Sequence, residues 1–417
     1  MGRSTASRGR PATRCSFRRR PTAPAANGRI SNDCDDMPHP RFAYDAMTLR
    51  KAYSGVENTI HGFIRAWAAH GPEPLRVYAP VRTPLPVPDS PQVDVCAVHL
   101  PASSRLARIV WEHTRLPRRL RQDQAALLHA PAYVAPLAAP CPVVLTVHDL
   151  HVFTHPACCT FENRLYYRLF LPRSIRRAGA IIVYSEHVRR IVAARYPDQA
   201  DRIALIPPGV DPDLAPVSDP ERLDAVRAAW RLPGRFILFV GDLAPRKNLP
   251  RLLEAFTRLI AERPDRRDVH LVLAGAGGLN RVPIDALCAR LGVAGRVQTL
   301  GYVPRADLVA LYSLAAVLAF PSLDEGFGLP ALEALACGCP VVCTPGGASE
   351  ICGPAAACCD PLDIASITRA LAGPLDHPLS RPARAEAGFA RLARYSWPAS
   401  VPATAALYRE VCARTGY

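Results

Sequence analysis

Two glutamates eight residues apart, Glu325 and Glu333, frame the stretch best equipped for chemistry, Pro321-Ser322-Leu323-Asp324-Glu325-Gly326-Phe327-Gly328-Leu329-Pro330-Ala331-Leu332-Glu333. A carboxylate has two oxygens that can each take a hydroxyl proton, so it suits a diol. The loop between them would present the backbone N–H groups of Gly326, Phe327, Gly328 and Leu329, and small residues let a ligand's oxygens approach the main chain. Taken singly, these features also have a bland use, since a glutamate near a helix start favours the macrodipole. A second candidate is Gly241-Asp242-Leu243-Ala244-Pro245-Arg246-Lys247-Asn248, where a glycine turn and two adjacent cations precede a helix. Charge, donors and dipole together make an anion site there, and a solvated cation pair on a loop is the alternative. A third is His148-Asp149 after the apolar run Val143–Val147. By itself such a histidine is more often structural.

The elements that must position these residues follow from the pattern around them. Ala316–Phe320 reads as a strand, Pro330 suits the first helical position, and Gly338 suits the residue just past the helix end. Short apolar runs alternate with amphipathic stretches along the whole chain, the pattern of parallel sheets covered by helices. The first half predicts strands at Phe42–Tyr44, Leu75–Tyr78, Val93–Val98, Ala126–His129, Val143–Val147, Ala180–Tyr184 and Ile203–Ile206. The second predicts Phe236–Val240, His270–Ala274, Val297–Leu300, Ala316–Phe320 and Val341–Cys343. Pro207-Pro208-Gly209 breaks the two series. The expected division is a basic tail over 1–40, a first Rossmann-like domain over 41–208, a linker over 209–234 and a second Rossmann-like domain over 235–396. A helix over 397–417 follows, with a route back to the first domain open to it. Two such domains bring two sets of strand ends together, so the site is expected in the cleft.

The Glu325–Glu333 segment, with Cys337-Gly338 and Pro340-Val341-Val342 after it, resembles the E-x7-E motif of retaining glycosyltransferases of family GT4. That resemblance implies an α/β fold of the GT-B type, two Rossmann-like domains with parallel sheets facing across a cleft. It implies that Glu325 and the loop amides of Gly326, Phe327, Gly328 and Leu329 hold the donor sugar, and that Glu333 takes the ribose hydroxyls. Phe239–Leu249 resembles the family's phosphate-binding loop, in which many members carry Gly-Arg and a lysine five residues on. Here Lys247 keeps the lysine, Asp242 stands in place of the arginine, and Arg246 supplies the second cation as in a subgroup with Pro-Arg-Lys-Asn. Their charge would offset that growing on a departing nucleoside diphosphate. By the same resemblance His148 contacts the donor sugar beside the reacting carbon, and the turn at Ser54-Gly55-Val56-Glu57 brings the backbone at Gly55 to the diphosphate or the acceptor. His148 and Glu325 are thus the implied catalytic pair, with Glu325 positioning the sugar rather than acting as a base. Trp111-Glu112 and Leu128-His129-Ala130-Pro131 resemble segments of mannosyltransferase-like members. The implied reaction moves mannose from GDP-mannose to a glycan or lipid-linked acceptor in bacterial surface polysaccharide synthesis. No metal and no cofactor are implied, because side-chain cations serve where other glycosyltransferases use a metal.

Composition narrows the alternatives. A formal net charge of +15 and a sequence pI near 9.5 fit nucleic acid, an anionic membrane or anionic substrates alike. The arginines of Arg3–Arg20 have a single aromatic, Phe17, among them and no stacking pattern of aromatics, so no nucleic acid partner is expected. They predict either a disordered tail touching an anionic membrane or an upstream stretch of a chain that starts at Met37. The 14 cysteines lack paired C-x-x-C spacing and read as free thiols of a cytoplasmic protein, peripheral at the inner membrane surface at most. A sugar-nucleotide 2-epimerase of the same fold, or a non-catalytic binding module with a basic arm, would be the competing readings.

Overall fold

The short apolar runs pair as two wholly parallel sheets in a computed structural model. It describes residues 42–416 apart from 50–54, 82, 84, 86, 88–89, 101–103, 212–213, 276–281, 379–385, 387 and 389–390. The basic tail and the turn residue Ser54 lie outside the described residues. The first sheet holds β1 (Phe42–Asp45), β2 (Leu75–Pro80), β3 (Val93–Val98), β4 (Leu127–Ala130), β5 (Val143–Thr146), β6 (Ala180–Val183) and β7 (Ile203–Leu205). The second holds β8 (Phe236–Val240), β9 (His270–Ala274), β10 (Val297–Gly301), β11 (Val317–Phe320), β12 (Val341–Cys343) and β13 (Ala356–Cys358). Their orders, β3-β2-β1-β4-β5-β6-β7 and β10-β9-β8-β11-β12-β13, both reverse direction at the centre. Ligands bind outside strand C-terminal ends at such reversals.

Helices cover both faces of each sheet, so the central strands β8 and β11 of the second sheet are apolar at every position. In β8, Phe236 and Leu238 point into one core cluster while Ile237 and Phe239 point into the other, and all four are fully buried. Strand β13 has no strong sequence signal, being three small residues with an exposed edge. The described cysteines are free thiols, most of them buried.

The C-terminal helix Trp397–Thr415 lies on the first unit, with Val401, Tyr408 and Val411 in one cluster with Phe42 and Trp67. The outgoing and returning chains touch where they cross. Val210 N donates to Tyr395 O at 2.9 Å, and a Cβ on Gly209 would lie 2.2 Å from Trp397 N. Only a glycine fits at that crossing.

Candidate active site

Three loops converge below the strand ends of the second sheet. The first, from β11 to the helix Leu329–Ala336, bends at Gly328, whose φ of 93° is a conformation that favours glycine. Pro330 is the second helical residue, not the first as its position in the motif suggested. Glu333 is the fifth, so it stands one turn into the helix, where its side chain turns back to the cleft. Asn248, left-handed at φ 59°, closes the second loop and donates from Nδ2 to Pro321 O at 3.0 Å and Pro361 O at 2.7 Å. Leu323 N donates to Arg246 O at 2.9 Å, and Gly347 N of the third loop donates to Glu325 O at 3.0 Å. The loops are therefore one hydrogen-bonded unit.

Glu325 meets both cations within that unit. Lys247 Nζ donates to Glu325 Oε1 at 2.5 Å, and Arg246 Nη1 donates to the same oxygen at 3.0 Å. Burial pushes the Glu325 carboxyl up, but Lys247 and Arg246 outweigh it and hold it down at about 2. Burial and the neighbouring Arg246 charge pull the Lys247 ammonium below the ordinary lysine range, against the attraction of Glu325. Its Nζ also lies 4.5 Å from the centre of the Phe320 ring. Burial opposes the Arg246 charge, which Glu325, Asp242 and Asp149 more than restore. Arg246 Nη2 donates to Asp242 Oδ1 at 3.2 Å, so Asp242 braces the guanidinium on the side away from Glu325.

Glu333 is buried, and burial raises its carboxyl while Arg305 and Tyr312 oppose the rise. Arg305 Nη1 donates to Oε1 and Tyr312 OH to Oε2, each at 3.1 Å. Neither partner belongs to a motif visible in the sequence. Arg305 also pairs with Asp211 at 3.2 Å, which in turn holds Arg65 of the first unit at 2.7 Å.

The first unit closes over this loop through backbone as much as side chains. A Cβ on Gly326 would lie 1.8 Å from His148 O, so the two backbones are in contact. Ser185 Oγ donates to Gly326 O at 2.5 Å. Glu350 of the helix Gly347–Cys352 accepts from Glu186 N at 2.7 Å and His187 N at 2.9 Å. One unit thus caps a helix of the other, Glu186–Arg195, with a carboxylate at its positive end. Asp324 adds His187 Nε2 at 2.9 Å and His151 Nε2 at 3.5 Å.

His148 follows β5 and is half-buried, stacked edge-on against Tyr184 at 5.0 Å. Its Nε2 donates to Pro131 O at 2.7 Å, and burial lowers its pKa against that bond and Asp149. A neutral ring so held leaves Nδ1 as an acceptor. Tyr133 OH donates to Asp149 Oδ2 at 2.5 Å, bracing the next residue. Gly55 begins the helix Gly55–His70 and does not sit in a turn, as expected from the sequence; a Cβ there would be 4.0 Å from Leu329 across the cleft. Ser54 before it in the sequence and Glu57 in the first turn suit a helix start.

A cleft of about 1280 Å³ lies between the two units. His148, Gly55, Arg246, Lys247, Glu325 and Glu333 line it, with the loop Gly326–Leu329 between them. Among the described residues of the loop no acceptor pairs with the N–H groups of 326–329. The Phe327 ring packs away between Tyr184 and Tyr395. Gly241 and Gly275, at φ 149° and 155°, shape the floor, since a Cβ on Gly275 would lie 1.8 Å from Gly241 O. Gly275, Arg305, Tyr312, Ser185 and Glu350 are functional candidates that reading the sequence missed. Gly275, directly after the apolar run His270–Ala274, carried the one usable signal, a glycine at a strand end.

Residues 224–389 match the family model described as glycosyl transferases group 1, and residues 53–214 match glycosyltransferase family 4. The chain is 32% identical over 289 residues to O-antigen chain mannosyltransferase B of Escherichia coli, across 67% of this chain and 74% of that protein. Sucrose-phosphate synthase from Thermosynechococcus elongatus superposes with a TM-score of 0.72 at 21% identity, over 89% of this chain and 99% of that one. The Anabaena HepE protein, solved in complex with UDP and glucose, gives 0.66 at 18% identity over 88% and 98%. With both halves of the chain matched and the two-sheet architecture shared, this chain belongs to glycosyltransferase family 4 and is a glycosyltransferase of the GT-B fold.

Proposed function

We propose that this enzyme transfers mannose from GDP-mannose, with retention of configuration, to a glycan or lipid-linked acceptor in bacterial surface polysaccharide synthesis. The observation that carries the reading is the convergence, in one cleft, of a cation pair, an E-x7-E loop and a histidine from the opposite sheet. Lys247 and Arg246, with Gly55 facing them from the other wall, receive the diphosphate and offset the charge that grows as the glycosidic bond breaks. Glu333 accepts the ribose hydroxyls. The amides of 326–329 and Glu325 orient the sugar, and His148 Nδ1 accepts from a sugar hydroxyl beside the anomeric carbon. Mannose and the polysaccharide context rest on the likeness to the O-antigen chain enzyme.

The test is a thermal-shift and transfer screen over GDP-, UDP- and ADP-sugars. A donor at a hundred times its dissociation constant adds about 2.7 kcal/mol of stability. GDP-mannose should give the largest shift and be the donor consumed. Stabilisation and turnover by a UDP- or ADP-sugar in its place would overturn the donor assignment, and epimerised donor without transfer would overturn the reaction.

A further inference from the structure

His151 lines the cleft but has no part in the donor contacts proposed above. It opens the short helix His151–Thr154, just after His148-Asp149-Leu150, and its ring is buried. Nδ1 lies 3.2 Å from Asp149 Oδ1 in its own unit, and Nε2 lies 3.5 Å from Asp324 Oδ2 in the other. Asp149 is the chain neighbour of His148, and Asp324 is the chain neighbour of Glu325. One imidazole therefore spans the residues next to the two groups proposed to orient the sugar.

A neutral imidazole has one N–H and one lone pair, so with a carboxylate at each nitrogen it would turn the lone pair on one of them. The protonated ring points an N–H at both. Asp324 also accepts from His187 Nε2 at 2.9 Å, and His155 Nδ1 lies 3.9 Å from its other oxygen, so histidines of the first unit surround one carboxylate of the second. Burial raises the Asp324 carboxyl, but the His187 bond and the charges of His151, His187 and His155 bring it below the ordinary range. The other charged groups nearby do not bridge the units at this point. Arg246 acts on Asp149, and Tyr133 and Cys159, raised by burial and by Asp149, stay neutral. Arg195 meets the short helix over the Phe153 ring at 4.1 Å. The His151 charge reaches Glu325 too, after those of Lys247 and Arg246.

We propose that His151 is a positioning residue: carrying a proton, it clasps Asp324 across the cleft and sets Glu325 opposite His148. An imidazole changes charge between about pH 5 and 8, so the clasp is made on the acid side of that range and lost on the alkaline side. Transfer therefore weakens as the pH rises through it, while nucleotide binding, which rests mainly on the second unit, does not. The inference rests on the reading of His148 and Glu325 as the pair that orients the sugar.

The experiment is a double-mutant cycle on the full chain with His151→Gln, Asp324→Asn and both together, melting temperatures being taken at about pH 5.5 and about pH 8.5. Asparagine keeps an acceptor for His187 and removes the charge that faces His151. Other titrating groups, Asp45 and Glu112 among them, are common to all four proteins and cancel. The two substitutions should be non-additive at the lower pH and additive at the higher. At the lower pH kcat for transfer from GDP-mannose should fall roughly ten-fold in each single variant, and at the higher it should stay within about two-fold of wild type. Calorimetry should give all four proteins the same affinity for GDP. Additivity at both pH values, equal coupling at both, or a His151→Gln kcat profile parallel to that of wild type would overturn the proposal. The cycle is read without a donor, so its failure leaves the catalytic reading standing. A near-normal His148→Ala enzyme beside an intact cycle would overturn that reading and not the clasp.

Discussion

Glu325 is ionised in a buried setting because two cations share one of its oxygens, and its stability contribution has a definite pH signature. Its carboxyl is held at about 2, below the ordinary 4.5, so the contribution is complete above about pH 4.5 and is lost as pH falls through 2. The difference is worth about 3 kcal/mol. A Glu325→Gln enzyme should lose transfer and about that much stability at pH 7, and acid titration of its melting temperature should lack this portion of the wild-type slope. Equal acid slopes in the two proteins would contradict the ion pair. Glu112 behaves oppositely. Burial, then the charge of Asp45, raises it to about 8 against Arg108, and burial raises Asp45 to about 6. Both stabilise the fold most when neutral, so their contribution is lost as pH rises through 6 and then 8. Glu112→Gln, a neutral mimic, should flatten the fall in melting temperature between pH 5 and 8; a variant that tracks wild type would remove Glu112 from that effect. The E-x7-E pair was legible in the sequence because its spacing is local to one loop and the helix that follows it. The partners of Glu333, Arg305 and Tyr312, come from a different helix and have no spacing to read.

At the scale of elements, the two units meet through contacts that neither contains alone. Gly326 lies on the carbonyl of His148, and Glu350 accepts the first N–H groups of the helix Glu186–Arg195. Gly326→Ala puts a methyl where the carbonyl stands, so the units should be held apart. Glu350→Ala leaves the helix end without its carboxylate, a loss typically worth about 0.5–2 kcal/mol to a cap. Both variants should keep most nucleoside diphosphate affinity, since Lys247, Arg246 and Glu333 all belong to the second unit and Gly55 alone comes from the first, while kcat falls, about ten-fold for Glu350→Ala and further for Gly326→Ala. Calorimetry beside steady-state kinetics separates the two. Loss of nucleotide binding with unchanged turnover at saturation would contradict the arrangement. None of these contacts could be read beforehand, because the residues are far apart in sequence and glycine and glutamate have many other uses. The strands fared better. The core runs of β8, β9 and β12 fall at their expected bounds since both faces are buried, whereas β13 escaped notice because alanine and cysteine at an exposed edge look like loop.

The whole molecule places its reacting groups on two sheets and joins the sheets at a narrow crossing. Gly209 passes Trp397, and the last helix returns to close the core of the first unit around Trp67 and Tyr408. The alternation of apolar runs and helices made the two-sheet architecture legible, as did the resemblance carried by the second half. The loops of the first unit that face the acceptor have no such pattern, because acceptor contacts vary freely over a fixed scaffold. The central claim is that His148 and Glu325, one from each sheet, orient a single donor sugar for transfer with retention. The most direct test is NMR of the anomeric proton and carbon in the product that wild type forms from GDP-α-mannose, with His148→Ala run beside it. The account predicts an α-linked mannoside from wild type, and from His148→Ala the same linkage at a rate lowered by several kcal/mol of lost orientation, roughly 7 to 11 at the limit. A β-linked product, or a His148→Ala enzyme with near-normal kcat, would contradict it.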